Sequence, residues 1–129
     1  MKRGLAGLLA LVFGLNGLVM IFAGLWWYGV VPGVVQTGPY NPHFVKDIGS
    51  IYLVCGGAMA WRAARPDNAL GAGQGALVAA AAFQILHALV HLTDAAVCGN
   101  PAAALLRDAP AIYLPTLITL WLAWPARKA

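Results

Sequence analysis

The stretch Gln84-Ile-Leu-His-Ala-Leu-Val-His-Leu-Thr-Asp94 decides how this chain is organised. It lies inside a strongly apolar segment, and four of its polar residues follow one another at steps of three, four and three: Gln84, His87, His91 and Asp94. On an α-helix this spacing places the four side chains along one stripe, turn above turn. The stretch therefore predicts an apolar helix that carries a polar stripe towards its C-terminal end.

The composition of the whole chain excludes an ordinary water-soluble domain. Only 9% of its 129 residues are charged, whereas 61% are hydrophobic. A soluble domain has about a quarter of its residues charged. A chain this poor in charge cannot cover itself with a solvated surface, so we expect an integral membrane protein in contact with the lipid bilayer. The net charge of +4 does not indicate nucleic-acid binding, because most of the basic residues flank apolar segments.

The apolar segments predict an all-α fold, an integral membrane four-helix bundle that forms a single domain over residues 1–129. We expect its helices at about 5–28, 42–64, 69–93 and 110–124, each near the length needed to cross a bilayer. The first segment is too long for the apolar region of a secretory signal and no convincing cleavage site follows it. We therefore expect it to be retained as a membrane helix.

The ends of the helices are marked by residues that cap or stop helices. Asn41-Pro42 predicts the start of the second helix, and Arg65-Pro66 predicts its end, with Asp67 and Asn68 as the next cap. Asn100-Pro101 predicts a short interfacial helix. Asp108-Ala109-Pro110 predicts the cap of the fourth helix, which could alternatively begin nearer Leu105.

The distribution of basic residues predicts the orientation of the bundle. One side receives both termini and the middle loop, and it collects six of the eight basic residues: Lys2, Arg3, Arg62, Arg65, Arg127 and Lys128. Only Lys46 and Arg107 fall on the other side. Because cytoplasmic loops carry the excess of lysine and arginine, both termini are expected in the cytoplasm.

This orientation brings the ionisable residues of two helices to the same depth. The second helix starts at the outer face with His43 and Asp47, and the third helix ends there with His91 and Asp94. His87 would lie only roughly 9 Å below that outer end. We therefore expect all three histidines of the chain in the outer half of the bundle.

Imidazoles and carboxylates on facing helices are the groups from which bundles build metal centres. The sequence predicts a site for a divalent transition metal (zinc, iron, copper or manganese) with ligands from His43, Asp47, His87, His91 and Asp94. Gln84 and Tyr113 are candidates to hydrogen-bond those ligands. Such a centre could catalyse oxidation or hydrolysis of a lipid-like substrate, and His91 or an aspartate could instead act as a general base.

Two other interpretations remain open at this level. Haem could be held by His43 together with His87 or His91, since two histidines on facing helices can ligate iron from both sides. The chain could also be a non-catalytic membrane subunit or scaffold, in which polar residues bond helices to each other or to a partner. Many Gly and Ala residues make a thin bundle, so a homo-oligomer or a larger membrane complex is plausible in every case.

The layout of four helices with polar residues near the outer helix ends is similar to that of small DoxX-type bacterial membrane proteins. This resemblance implies a location in a bacterial inner membrane. It rests on layout alone and implies no role for any residue.

Overall fold

A computed structural model describes residues 1–65 and 71–124, and every regular element in these two ranges is helical. The prediction of an all-α chain is therefore confirmed for this part of the protein. The caps predicted at Asp67 and Asn68, and the basic residues Arg127 and Lys128, lie outside the described residues. The helices are α1 (Lys2–Phe22), α2 (Gly24–Val30), α3 (Pro42–Ala64), α4 (Gln74–Val97), α5 (Pro101–Asp108) and α6 (Leu114–Ala123), with 3-10 turns at Val34–Thr37 and Gly71–Gly73 and a π-helical turn at Ala109–Tyr113.

The first apolar segment is two helices rather than the single helix predicted over about 5–28. Ala23 interrupts it with a non-helical backbone (φ −134°, ψ 38°). The next residue, Gly24, is pressed against the chain that follows, where a β-carbon would lie 2.9 Å from the Tyr40 hydroxyl. The interruption changes the direction of the chain, so that α2 lies against α1. The Trp27 indole Nε1 donates a hydrogen bond to Asn16 Oδ1 at 2.9 Å.

Helices α1 and α3 form the most extensive contact between elements, and glycines make this contact possible. A β-carbon added to Gly17 would lie 2.6 Å from the Gly49 carbonyl oxygen, and one added to Gly56 would lie 3.0 Å from the Gly14 nitrogen. Helices approach this closely only where small residues face each other. The backbone of α3 is therefore held directly against that of α1.

Three contacts place the ends of the helices relative to one another. Arg3 Nε donates to the Ala63 carbonyl at 2.9 Å, so the start of α1 lies beside the end of α3. The Lys2 ammonium lies 4.9 Å from the centre of the Trp121 ring. The Gln74 side chain donates to the Ala123 carbonyl, which joins the start of α4 to the end of α6. The long helical segments thus run antiparallel to their neighbours.

The last helical segment is continuous from Pro101 to Ala123, but a π-helical turn interrupts its regular pattern. The turn contains Pro110, and Pro115 follows one turn later. Because proline has no N–H to donate, the regular helical hydrogen-bond pattern is broken there. Thr116 Oγ1 donates a further hydrogen bond within this segment, to the Ile112 carbonyl at 2.7 Å.

Two of the described helices, α1 and α4, are long and apolar enough to cross a membrane. In the apolar part of each, only 28% of the residues are buried inside the protein, so most of their apolar surface faces outwards. The other long segments also expose large apolar side chains, such as Val54 on α3 and Leu117 on α6. Exposed apolar surface of this extent favours contact with lipid.

The contact between α1 and α3 predicts that Gly17→Ala destabilises the protein. The new β-carbon would meet the Gly49 carbonyl oxygen, a backbone atom that cannot rotate away. Overpacking of this kind costs about 1–3 kcal/mol. We expect a lower midpoint of thermal unfolding in detergent for this variant. Gly14→Ala on the same helix is the matched control, because a β-carbon there meets nothing within 4 Å. Equal midpoints for the two variants would contradict the proposed close contact.

Candidate functional site

A ladder of rings runs along one side of α4. The Phe83 and His87 rings are stacked, with centroids 5.6 Å apart and an interplanar angle of 15°. The His87 and His91 rings follow edge to face, with centroids 4.8 Å apart. Tyr52 of α3 packs edge-on against both Phe83 and His87, at 5.7 and 6.0 Å. Residues four apart on a helix are neighbours, so the sequence spacing alone produces the ladder, and α3 supports it from the side.

His91, at the C-terminal end of this ladder, is bonded to a carboxylate on α5. Its Nδ1 lies 2.8 Å from Asp108 Oδ2. The Asp108 side chain is only 6% exposed, whereas that of His91 is 28% exposed. Asn100 caps α5 by accepting a hydrogen bond from the Ala103 N–H at 3.1 Å, and the short connection from α4 turns α5 back towards His91. The pair therefore depends on the α4–α5 hairpin.

Asp108 is held from its other side by Arg107. Arg107 Nε donates to Asp108 Oδ1 at 2.7 Å, and the terminal guanidinium nitrogen donates to Oδ2 at 3.2 Å. A carboxylate in an apolar environment requires a cation and hydrogen-bond donors, and Asp108 obtains both. The cap for the fourth helix predicted at Asp108 is not formed, since its side chain makes no capping bond and is used in this network instead.

The segment between α2 and α3 covers the guanidinium. A β-carbon at Gly33 would lie 2.6 Å from Arg107 Cζ, so the peptide of Gly33 lies directly against the charged group. Gly33 also has a φ of +90°, which side-chain-bearing residues rarely adopt. The loop keeps its shape partly through Tyr28, whose hydroxyl donates to the Gly38 carbonyl.

The interior below this network contains polar groups without partners. Gln84 is 1% exposed, and its backbone carbonyl accepts a hydrogen bond from Thr116 Oγ1 at 3.3 Å. The Gln84 side-chain nitrogen and the Tyr113 hydroxyl are buried and have no hydrogen-bond partner within the described part of the chain. The role predicted for Gln84 and Tyr113, hydrogen bonding to metal ligands, stays a prediction.

The remaining predicted ligands lie on the surface. His43 Nε2 is 3.4 Å from Asp47 Oδ2, and these side chains are 89% and 59% exposed. Asp94 is exposed as well. Among residues 1–65 and 71–124 there is no group of three or more His, Cys, Asp or Glu side chains that could hold a metal ion. The structure thus joins His43 to Asp47, and His91 to His87, but it does not gather the five predicted ligands into one centre.

Asp94 stays on the stripe of α4, since it follows His87 by seven residues, a rotation only about 20° short of two full turns. It is nevertheless exposed near the end of the helix. Asp108 and Arg107 are the functional residues that sequence reasoning missed. The signal that could have found them is the short connection at Cys98–Asn100. Asp108 follows this connection by eight residues and His91 precedes it by seven, so a tight helical hairpin brings them to a similar height.

Comparison with known protein families, with curated proteins and with solved structures finds no match for this chain.

The bond between Asp108 and His91 predicts which imidazole nitrogen carries the proton. We expect ¹⁵N NMR of histidine-labelled protein in lipid, at about pH 8 where imidazole is neutral, to show His91 as a single tautomer protonated on Nδ1. Asp108→Leu removes the acceptor, so both tautomers should then be populated. Asp94→Leu is the matched control, since Asp94 is exposed on the same helix as His91. A single unchanged tautomer in Asp108→Leu would contradict the assignment.

Proposed function

We propose that this chain is an integral membrane protein in which four helical segments cross the bilayer and both termini face the cytoplasm. Supporting this, the four segments are α1, α3, α4 and the continuous helix from α5 to α6, each of about 21 to 24 residues. At about 1.5 Å per residue such segments match a hydrocarbon core of roughly 30 Å. Lys2, Arg3 and Arg62 all lie at the end of the protein assigned to the cytoplasm.

Within this arrangement His91 acts as a general base near the outer membrane surface. The observation that carries the proposal is the 2.8 Å contact between His91 Nδ1 and the buried Asp108. A carboxylate at Nδ1 orients the ring, keeps the proton there and leaves Nε2 free to accept a proton from another molecule. His91 is partly exposed, so that molecule can reach it, whereas Asp108 is buried and bonded to Arg107, on which Gly33 packs.

The substrate class follows from the surroundings of His91. Its helix exposes large apolar side chains, including Leu89 and Val90. This surface favours a substrate that approaches from the bilayer. The reaction is hydrolysis of an ester in a lipid-like molecule. His91 takes a proton from water, the water oxygen forms a bond to the ester carbonyl carbon, and the alcohol leaves with the proton that His91 returns.

A second candidate is the metal-dependent reaction expected from the sequence, with His87 and His91 as the two protein ligands. The specific observation in its favour is again the bond to Asp108, because histidines that ligate metals donate their other N–H to a carboxylate. Two imidazoles at positions i and i+4 have the spacing of paired zinc ligands on a helix, and their ring centroids are 4.8 Å apart. The remaining coordination positions would be left for water and substrate.

The general-base proposal predicts the loss of lipid hydrolysis in His91→Gln. Purified protein is incubated with total membrane lipids in mixed micelles, and the products are measured by mass spectrometry. We expect His91→Gln to reduce product formation by about 100-fold or more, since positioned bases contribute 10²–10⁴-fold. Thr93→Val is the control on the same helix, because Thr93 is exposed and bonds only to a backbone carbonyl. Equal product yields in His91→Gln and the wild type would refute the base, and absence of any product would favour the scaffold interpretation.

If the second candidate is correct, metal binding requires both imidazoles of the ladder, His87 and His91. In that case, elemental analysis of protein purified without added metal finds bound metal in the wild type and little in His87→Ala, because a chelating pair cannot act with one imidazole. Asp94→Asn should keep the metal, as Asp94 is exposed and separate from the ladder. Retention of the metal in His87→Ala would exclude this pair as its ligands.

A further inference from the structure

One side of α3 faces away from the rest of the protein. The Gly49 side packs on α1, and the opposite side carries a line of residues at alternating steps of four and three, all of them exposed: His43, Asp47, Ser50, Val54 and Gly57. We call this line the open face of α3. Alternating steps of three and four keep one line of a helix in contact with a second, parallel helix along its length.

The polar residues of the open face are in an unfavourable position for a helix surrounded by lipid. His43 and Asp47 lie in the first two turns of α3, and Ser50 continues the line one turn deeper. Ionisable groups on a membrane helix are costly. The contact between His43 and Asp47 offsets this cost only in part, because both side chains remain exposed. Further along the same face, a β-carbon at Gly57 would meet nothing within 4 Å, so another backbone could approach closely there.

A second copy of this chain is the occupant that fits. Two copies share one orientation in the membrane, so their α3 helices are parallel and equal residues meet at equal depth about a two-fold axis. Two His43 and two Asp47 side chains then converge within one helical turn. Two carboxylates facing each other repel, and a divalent cation between them removes the repulsion. A divalent cation bound there would therefore let the two open faces meet along their length.

The spacing of His43 and Asp47 matches the ligand spacing of such a cation. Zinc is bound tetrahedrally, with bonds of about 2.0–2.2 Å to imidazole nitrogen and carboxylate oxygen. The ligand atoms of a tetrahedral centre with these bonds are about 3.3–3.6 Å apart. The observed distance from His43 Nε2 to Asp47 Oδ2 is 3.4 Å. One chain supplies two ligands at this distance, and two chains supply the four that a closed zinc site requires.

We propose that two copies of this chain pair along the open face of α3 and bind one divalent transition-metal ion, of the zinc type, between two His43 and two Asp47 side chains. The inference uses the membrane-spanning arrangement of the proposed function and is independent of the chemistry assigned to His91. It assigns His43 and Asp47 to a structural site that no single copy contains.

The first experiment measures proximity in native membranes. In a Cys98→Ser background, Val54→Cys places a thiol on the open face, and Leu86→Cys places one on α4; the native side chains are 70% and 64% exposed. Mild oxidation is expected to give disulfide-linked dimers for Val54→Cys and few or none for Leu86→Cys. Equal cross-linking at both positions, or cross-linking only at Leu86→Cys, would overturn the proposal.

The second experiment measures zinc and mass in detergent. The wild-type protein, saturated with zinc and washed, should hold about one ion per two chains and have the mass of a dimer, and EDTA should convert it to monomer.

His43→Gln and Asp47→Asn should each lose the zinc and the dimer while keeping the thermal midpoint of the apo wild type, since both side chains are exposed. His87→Ala should keep both zinc and dimer. Zinc retained in His43→Gln, or lost only in His87→Ala, would overturn the proposal, and neither result depends on lipid hydrolysis.

Discussion

The close contact between α1 and α3 is the constraint on which the other features of this protein depend. Gly17 and Gly49 let the two backbones meet, and this fixes which side of α3 is buried. Phe13 of α1 then packs on Tyr52 of α3 at 5.8 Å, and Tyr52 in turn supports the histidine ladder of α4. The same contact leaves His43 on the opposite, exposed side. The contact between α1 and α3 therefore decides that the histidines of α4 pack against other rings, whereas His43 is exposed.

The second constraint is electrostatic and acts at the α4–α5 hairpin. Asp108 is buried, so its charge requires compensation, and Arg107 and His91 provide it from two elements. Removing one partner of such a group leaves an uncompensated charge, which is far more costly than the pair itself is stabilising. The ion pair therefore favours one register of α5 against α4, and Gly33 allows the preceding loop to close over it.

His91 and His43 differ in the carboxylate that lies beside each ring, and this difference suits them to different chemistry. His91 has a buried carboxylate at Nδ1, so a single nitrogen remains for another molecule, which suits proton transfer. His43 has an exposed carboxylate one helical turn away, 3.4 Å from Nε2, which suits chelation. Both are histidines near one end of a long helix, and the spacing to an acid along the sequence is similar in His43–Asp47 and His91–Asp94.

The sequence by itself determined the features that depend on neighbouring residues. Asn41 accepts hydrogen bonds from the N–H groups of His43 and Phe44, so the start of α3 could be predicted from Asn41-Pro42. The contact between the His87 and His91 rings likewise follows from their four-residue spacing. Only the tertiary structure decided that Asp108 pairs with His91 rather than capping a helix, and that Asp94 faces outwards. Such partners are chosen between helices, where packing and burial, rather than spacing along the chain, determine which side chains meet.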